Sequence, residues 1–306
     1  MTRFSSIDLS KLPAPDVITV PEFDALLAEA EAAVIAAMPE AATTITLESE
    51  PARKVLRVCT YLRALDRAEF NDNARACMLP TATGTNLDNL AAFWGVARLV
   101  VQVGDDTVDP PIAEILESDE ALRARTQLSL EGHTTAGSRG AYTFWALSAS
   151  GLVRDVKVQG DGEDGLDPGE VRVTVLSFEA DGTASPALLS TVEAALNGEE
   201  VRPLCDRVIV QPATIVPYTI EAELTLLDGP DEASVLALAE ARIADFTAAQ
   251  NGLGRDVTRS GIFAALHVEG AVQNVTLAAP AADLVIGKTQ AALCTAVTLT
   301  VGGRDV

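Results

Sequence analysis

Ala146-Leu-Ser-Ala-Ser-Gly151-Leu-Val153-Arg-Asp-Val156-Lys-Val158 and Ala265-Leu-His-Val-Glu-Gly270-Ala-Val272-Gln-Asn-Val275-Thr-Leu277 read as one passage written twice. The paired positions 146 and 265, 151 and 270, 153 and 272, and 156 and 275 keep a single offset of 119 residues. Each copy has the end of an apolar helix, a glycine just past it, and then an alternating strand. A helix–strand unit used twice predicts an α+β chain with two duplicated mixed αβ modules. It also points to a scaffold, because duplication supplies repeated surfaces more readily than one asymmetric active site.

Working outward, 306 residues suffice for two or three modest cores, typical domains being roughly 100 to 150 residues. Three regions are expected: an extended arm and helices over 1–80, a helix, acidic linker and first αβ module over 81–205, and a second αβ module over 206–306. Hydrophobic residues make up 48% of the chain and aromatics only 4%, so the cores are built from Ala, Val and Leu. No aromatic platform is left for stacking sugars or bases. A net charge of −22 repels phosphate backbones and argues against nucleic acid as a partner. Residues 1–10 carry no apolar leader, and no run of about 18 apolar residues occurs, so the expectation is a soluble protein without a membrane partner. Cys59, Cys77, Cys205 and Cys294 are widely spaced, without a C-x-x-C pair, and are expected to be reduced thiols of the core.

Pro13, Pro15 and Pro21 keep the first twenty residues extended, after which Phe23, Leu26, Leu27, Ala30, Val34 and Met38 recur at helical spacing up to Pro39. A second helix starts at Glu50-Pro51 and runs to about Leu79. Its stripe Val55, Val58, Leu62 and Leu65 has the 3-4-3 spacing of a short coiled-coil seam. Two long helices cannot bury such stripes alone, so an N-terminal long-helix bundle shared with partners is expected. The same helix carries Arg53, Lys54, Arg57, Arg63, Arg67 and Arg75, either as a solvated face with i,i+4 pairs or as a surface for an acidic partner helix. Val55, Val58, Leu62, Leu65, Arg57, Arg63 and Arg67 are the candidate interface.

A capped helix over 84–95 follows, ending at Gly95. From Gln102 to Glu120 there are seven acids, a Pro110-Pro111 pair and no Lys or Arg, which reads as a linker leading to a helix N-terminus. Helices are predicted near 119–131, 138–149, 185–197, 231–249 and 258–267. Strands are predicted near 152–158, 170–177, 207–211, 218–227, 271–278 and 294–301.

Little in the chain is suited to chemistry. Gly160-Asp-Gly162-Glu-Asp-Gly165 matches a dinucleotide fingerprint by letter, but its acids would repel a pyrophosphate and no helix opens after it. Calcium would need a D-x-[DN]-x-[DN]-G spacing that is missing here, so the stretch is read as an acidic hairpin loop. His133 and His267 are the only histidines, too few for a histidine-based catalytic set or metal site. The position in the first repeat matching His267 is Ser148. No cofactor is expected.

Several segments carry a resemblance. They are Ile7-Asp-Leu-Ser-Lys-Leu-Pro-Ala-Pro-Asp16; Ala82-Thr-Gly84-Thr-Asn-Leu-Asp88 with Gly95-Val-Ala-Arg98; and Glu117-Ser-Asp119-Glu-Ala-Leu-Arg123-Ala-Arg125, continuing through Glu131-Gly-His-Thr-Thr-Ala-Gly137-Ser-Arg-Gly-Ala141-Tyr142. With Asn197-Gly-Glu-Glu-Val-Arg-Pro203-Leu204 and Leu253-Gly-Arg-Asp256 through Gly270, they resemble the baseplate assembly protein J family of contractile-tailed bacteriophages. The likeness spans nearly the whole chain. It implies a non-enzymatic structural protein of the virion, a baseplate wedge subunit assembled in the host cytoplasm. Two copies would join one copy of a second wedge protein through a shared N-terminal helix bundle, as a homodimer within a heterotrimer, near a sheath-initiator-like protein. Contacts between neighbouring wedges through the C-terminal domain would close a ring around the hub. The rival reading is a baseplate-associated glycan hydrolase, which would show an acid pair beside clustered Trp and Tyr. Here Trp94 and Trp145 fall within helix patterns, and Tyr61, Tyr142 and Tyr218 are scattered.

Overall fold

A computed structural model describes residues 7–14, 17–134 and 136–305. Pro15 and Asp16 of the opening motif, and Thr135 of the third, lie outside them. The chain forms two compact units, one of residues 1–98 with 118–127 and the other of residues 99–117 with 128–306.

The first unit is helical. Helix α1 (Phe23–Ala37) leads through a short 3-10 turn (Pro39–Thr43) to α2 (Pro51–Ala76), which opens on Pro51 where a missing N–H costs nothing. Helix α3 (Gly84–Phe93) ends in a Schellman turn: Gly95 takes φ +73°, its N–H bonds Ala92 O, and the Val96 N–H reaches back to Ala91 O. The first turns of α4 (Asp119–Gly132) complete the unit. Leu26, Leu27, Ile45, Ala82, Leu87, Ala91, Val96 and Leu122 are its buried apolar residues.

The second unit carries three sheets. Strands β1 (Val100–Gln102) and β2 (Ile115–Leu116) form a small antiparallel hairpin, extended by a bridge between Asp105 and Ile112. The acidic stretch expected as a linker is therefore folded, through pairing that lies across a loop too irregular for periodicity to register. Helix α5 (Arg139–Ala149) then precedes β3 (Val153–Gln159) and β4 (Glu170–Ser177), and α6 (Pro186–Leu196) crosses over to β5 (Arg207–Pro212). Strand β6 (Thr214–Leu227), helices α7 (Glu232–Gln250) and α8 (Arg259–Leu266), and strands β7 (Val272–Ala279) and β8 (Gln290–Asp305) complete the chain. Helices α5 to α8 each start on a side-chain cap, from Ser138, Ser185, Asp231 and Thr258 in turn.

Each larger sheet has a central strand with an antiparallel neighbour on one side and a parallel one on the other, in the orders β3-β4-β5 and β7-β6-β8. The repeated passage occupies comparable places. Both α5 and α8 lead through a glycine turn into an edge strand antiparallel to the centre, and Val153, Val156 and Val158 are buried like Val272, Val275 and Leu277. The threading differs. The helix–strand unit comes before the central strand in the first sheet, but in the second it lies between that strand and its parallel partner. One apolar core lies under each sheet, and a third cluster of Leu176, Ala213, Leu253 and Ala291 joins them. Only Ala213 separates β5 from β6.

The two glycines of the repeat serve different needs. Gly270 sits at φ +74° with nothing within 4 Å of the place a Cβ would occupy, in a turn closed by Ala271 N–H to Val268 O. Gly151 has an ordinary backbone, but a Cβ there would lie 2.8 Å from the Val100 carbonyl of the hairpin. Gly151→Ala should destabilise the chain by about 2 kcal/mol through this overlap and speed amide exchange in Val100–Gln102. Gly270→Ala should cost about 1 kcal/mol from the left-handed backbone alone and leave hairpin exchange unchanged. Chemical denaturation followed by hydrogen exchange checks both.

Candidate assembly interface

Helix α2 is built inside out. Its buried residues are Thr60 (3% exposed) and Asn71 (4%), whereas Val55, Val58, Leu62 and Leu65 are 64, 59, 52 and 46% exposed. The polar side is the one that its own unit uses. Asn71 Oδ1 accepts from the N–H groups of Val17 (3.0 Å) and Ile18 (2.9 Å), and its Nδ2 donates to Ile18 O (2.8 Å), which pins the N-terminal arm. Arg67 adds a bond to Thr19 O at 3.2 Å. Thr60 is satisfied by Leu56 O, one turn back in the helix.

The arginines of α2 meet acids of the same chain. Arg63 pairs with Glu29 on α1 at 3.4 Å, Arg53 with Glu31 at 3.6 Å and with Glu48 at 3.4 Å, and Arg57 with Glu48 at 3.0 Å while lying 6.0 Å from the Phe23 ring centre. The sequence pattern leaves i,i+4 pairs and an acidic partner helix both open. In this unit the acids are Glu29 and Glu31 of α1 and Glu48, which lies just before α2. The seven candidate residues thus separate into two groups, with three arginines turned to the chain's own elements and four apolar side chains turned to solvent. Asn71 went unnoticed in the sequence because a lone Asn inside a helix pattern carries no signal of what it binds 53 residues away.

The motifs behind the resemblance prove to be fasteners. Arg98 bonds Asp88 through Nε and Asp119 through Nη2, both at 2.7 Å, and Asp119 Oδ2 also accepts the Gly84 N–H at 3.0 Å. Arg123 holds the carbonyls of Leu79 (2.9 Å) and Ala82 (2.7 Å), and Arg125 holds that of Ala97 (2.7 Å). In the second unit the Tyr142 hydroxyl donates to Asp206 at 2.8 Å, and burial together with that carboxylate holds the phenol protonated far above its ordinary range. Gly137, at φ +63°, passes so close that a Cβ would lie 2.6 Å from Pro203. Asp256 receives the Ile286 N–H at 2.7 Å, and Leu253 fills the cluster between the sheets.

The acidic loop 160–165 is tied down as well as solvated. Glu163 lies 3.1 Å from Lys288 and 3.1 Å from Arg139, and the bond from Lys288 holds its carboxyl below the usual range. Cys59, Cys77 and Cys205 are exposed thiols and Cys294 is half-buried, which corrects the expectation of core cysteines: spacing alone does not show which side of a helix or loop a thiol occupies. Among the described residues no group of three His, Cys, Asp or Glu side chains is placed to hold a metal. No described helix is long and apolar enough to cross a membrane.

Comparison with known proteins places these elements in three family domains. Residues 48–105 match the Baseplate J-like N-terminal domain, 134–212 the Baseplate J-like central domain, and 218–300 the Baseplate J-like protein C-terminal domain. The chain is 45% identical over 304 residues to Baseplate protein J of Escherichia phage P2, covering 98% of this chain and 99% of that one. The chain belongs to the Baseplate J-like family. A likeness to a chain of the anti-feeding prophage baseplate is weaker, at 14% identity and a TM-score of 0.41, covering 63% of this J-like chain and 46% of that one.

The Arg98 fastener has a readable pH signature. The Gly84 N–H and then Arg98 hold the Asp119 carboxyl below its ordinary value of about 3.9. Because the folded state favours the carboxylate, this stabilisation is complete above that ordinary value and is lost as pH falls through the lower folded value. Urea unfolding should therefore show wild type losing more stability than Asp119→Asn between about pH 5 and about pH 3. Equal losses would remove the network from the account of acid unfolding.

Proposed function

We propose that this chain is a structural, non-catalytic subunit of the baseplate wedge of a contractile tail or tail-like injection particle. Membership of the Baseplate J-like family supports the setting, and the inverted helix α2 supports the role. A free-standing helix gains nothing by directing Val55, Val58, Leu62 and Leu65 to water while burying Thr60 and Asn71. A helix made to enter a bundle gains an apolar seam of about three turns.

On this reading, two copies join one copy of a second wedge protein through the α2 seams, and Arg57, Arg63 and Arg67 brace α1 and the arm behind each seam. A sheath-initiator-like protein sits near the wedge. The C-terminal module, from about residue 206, carries the contact between neighbouring wedges that closes the ring around the hub. The particle is assembled in the host cytoplasm, and neither nucleic acid nor membrane is a partner of this chain, whose charge of −22 opposes both anionic surfaces.

Leu62→Asp tests the seam. Leu62 is already half in solvent, so the variant should keep wild-type stability to within about 0.5 kcal/mol while losing co-purification with the second wedge protein. Retention of that partner at wild-type yield would place the bundle contact elsewhere.

A further inference from the structure

The sheet β7-β6-β8 has one guarded edge and one open edge. On β7 the Leu277 carbonyl accepts from the Arg259 guanidinium at 3.4 Å, which places a cation on that border. Strand β8 is parallel to β6 on its inner side, from Thr214 opposite Gln290 to Leu227 opposite Asp305. On its outer side the start is covered, where Leu253 bridges Ala291 and the Gly254 N–H bonds Gln290 O at 2.9 Å, and Glu240, Ile243, Ala244 and Thr247 of α7 line a groove with Cys294–Val297. Among the described residues, no second strand follows β8 from Leu293 to Gly303.

The composition of this edge is unlike the rest of the chain. Charged residues make up 22% of the sequence, yet Thr289–Gly303 contains none, the longest such run in the chain. Pairing with β6 is irregular at Thr295 and again at Gly302, so the regular stretch between them is Ala296-Val-Thr-Leu-Thr-Val301. These six residues have high β propensity, no proline and no charge, a composition that pairs readily with another strand. Thr295, Ala296, Val297 and Thr298 are exposed. Monomeric proteins guard such edges with lysine, proline or a covering loop. Among the described residues, Thr298–Val301 has no such guard, and α7 flanks only the Ala296–Val297 end.

The missing charge also identifies the occupant. A surface meant for a basic partner would draw on the chain's 44 acids, and the strand itself carries none from Thr289 to Gly303. Two copies of a chain carrying −22 repel one another least where both present an uncharged backbone. An antiparallel pairing of β8 with itself is also self-complementary about a two-fold axis and closes after two copies. We propose that Ala296–Val301 of two copies pair antiparallel, joining their β7-β6-β8 sheets into one continuous sheet. The proposal rests on the reading that the C-terminal module carries the contact between neighbouring copies, and it assigns that contact to one strand edge.

The test uses the full-length chain, with light scattering across a concentration series at low and high salt, and Val297→Lys and Thr298→Lys, which place charge on opposite faces of β8. Wild type should dimerise more strongly as salt screens the repulsion. Each variant should weaken dimerisation about tenfold or more by setting like charges across the new pair. Amides of 296–301 should exchange more slowly at high protein concentration in wild type only. A monomer throughout the series, or a dimer kept by both variants, overturns the proposal. A dimer lost in Leu62→Asp but kept by the lysine variants moves self-association to α2 and equally overturns it. None of these results decides the wedge role, which depends separately on co-purification with the second wedge protein.

Discussion

The constraint on which the N-terminal unit depends is the direction α2 faces. Asn71 binds the arm through three hydrogen bonds, and Arg53, Arg57 and Arg63 meet Glu29 and Glu31 of α1 and Glu48 just before α2, so the side of α2 that its own unit covers carries Thr60, Asn71 and the arginines, with Leu56, Ala64 and Ala68 half-buried among them. These bonds are directional and orient a helix well, although an exposed ion pair contributes only about 0 to 1 kcal/mol and a neutral hydrogen bond about 1 kcal/mol. The apolar side contributes nothing to the isolated unit. It is held in a set orientation by interactions made behind it.

The same division of labour runs through the second unit. Charged and polar residues of the acidic loop and of the family motifs hold loops and strands. Glu163 joins Lys288 and Arg139, Tyr142 reaches Asp206, and Asp256 receives a strand N–H. With 4% aromatics and small aliphatic cores, such polar fasteners at loop bases fix the geometry that larger side chains would fix elsewhere.

Much of the fold was legible in the sequence because it is local. Proline and glycine punctuation, together with hydrophobic period, places nearly every helix and strand to within a few residues, and the strand predicted near 170–177 matches β4. The seam Val55, Val58, Leu62 and Leu65 was legible for the same reason, although what covers it is not a local property. What escaped depends on distance along the chain. The transposed threading of the helix–strand unit is invisible to a fixed 119-residue offset, since strand order is decided by which backbones meet. Hairpin β1-β2 pairs across a proline-broken acidic loop. Gly151 resembles a helix terminator in one dimension, whereas in space its missing side chain admits the Val100 carbonyl.

Strand β5 passes into β6 through Ala213 alone, with Leu253 and Ala291 packed against Leu176 at the joint. In mechanical terms the two sheets form a stiff lever without a flexure at its middle. A load applied to the β7-β6-β8 sheet reaches β4 and β5 through continuous backbone, and bending at the joint would have to open a packed apolar cluster. In a baseplate subunit such a joint passes displacement from one sheet to the other instead of absorbing it.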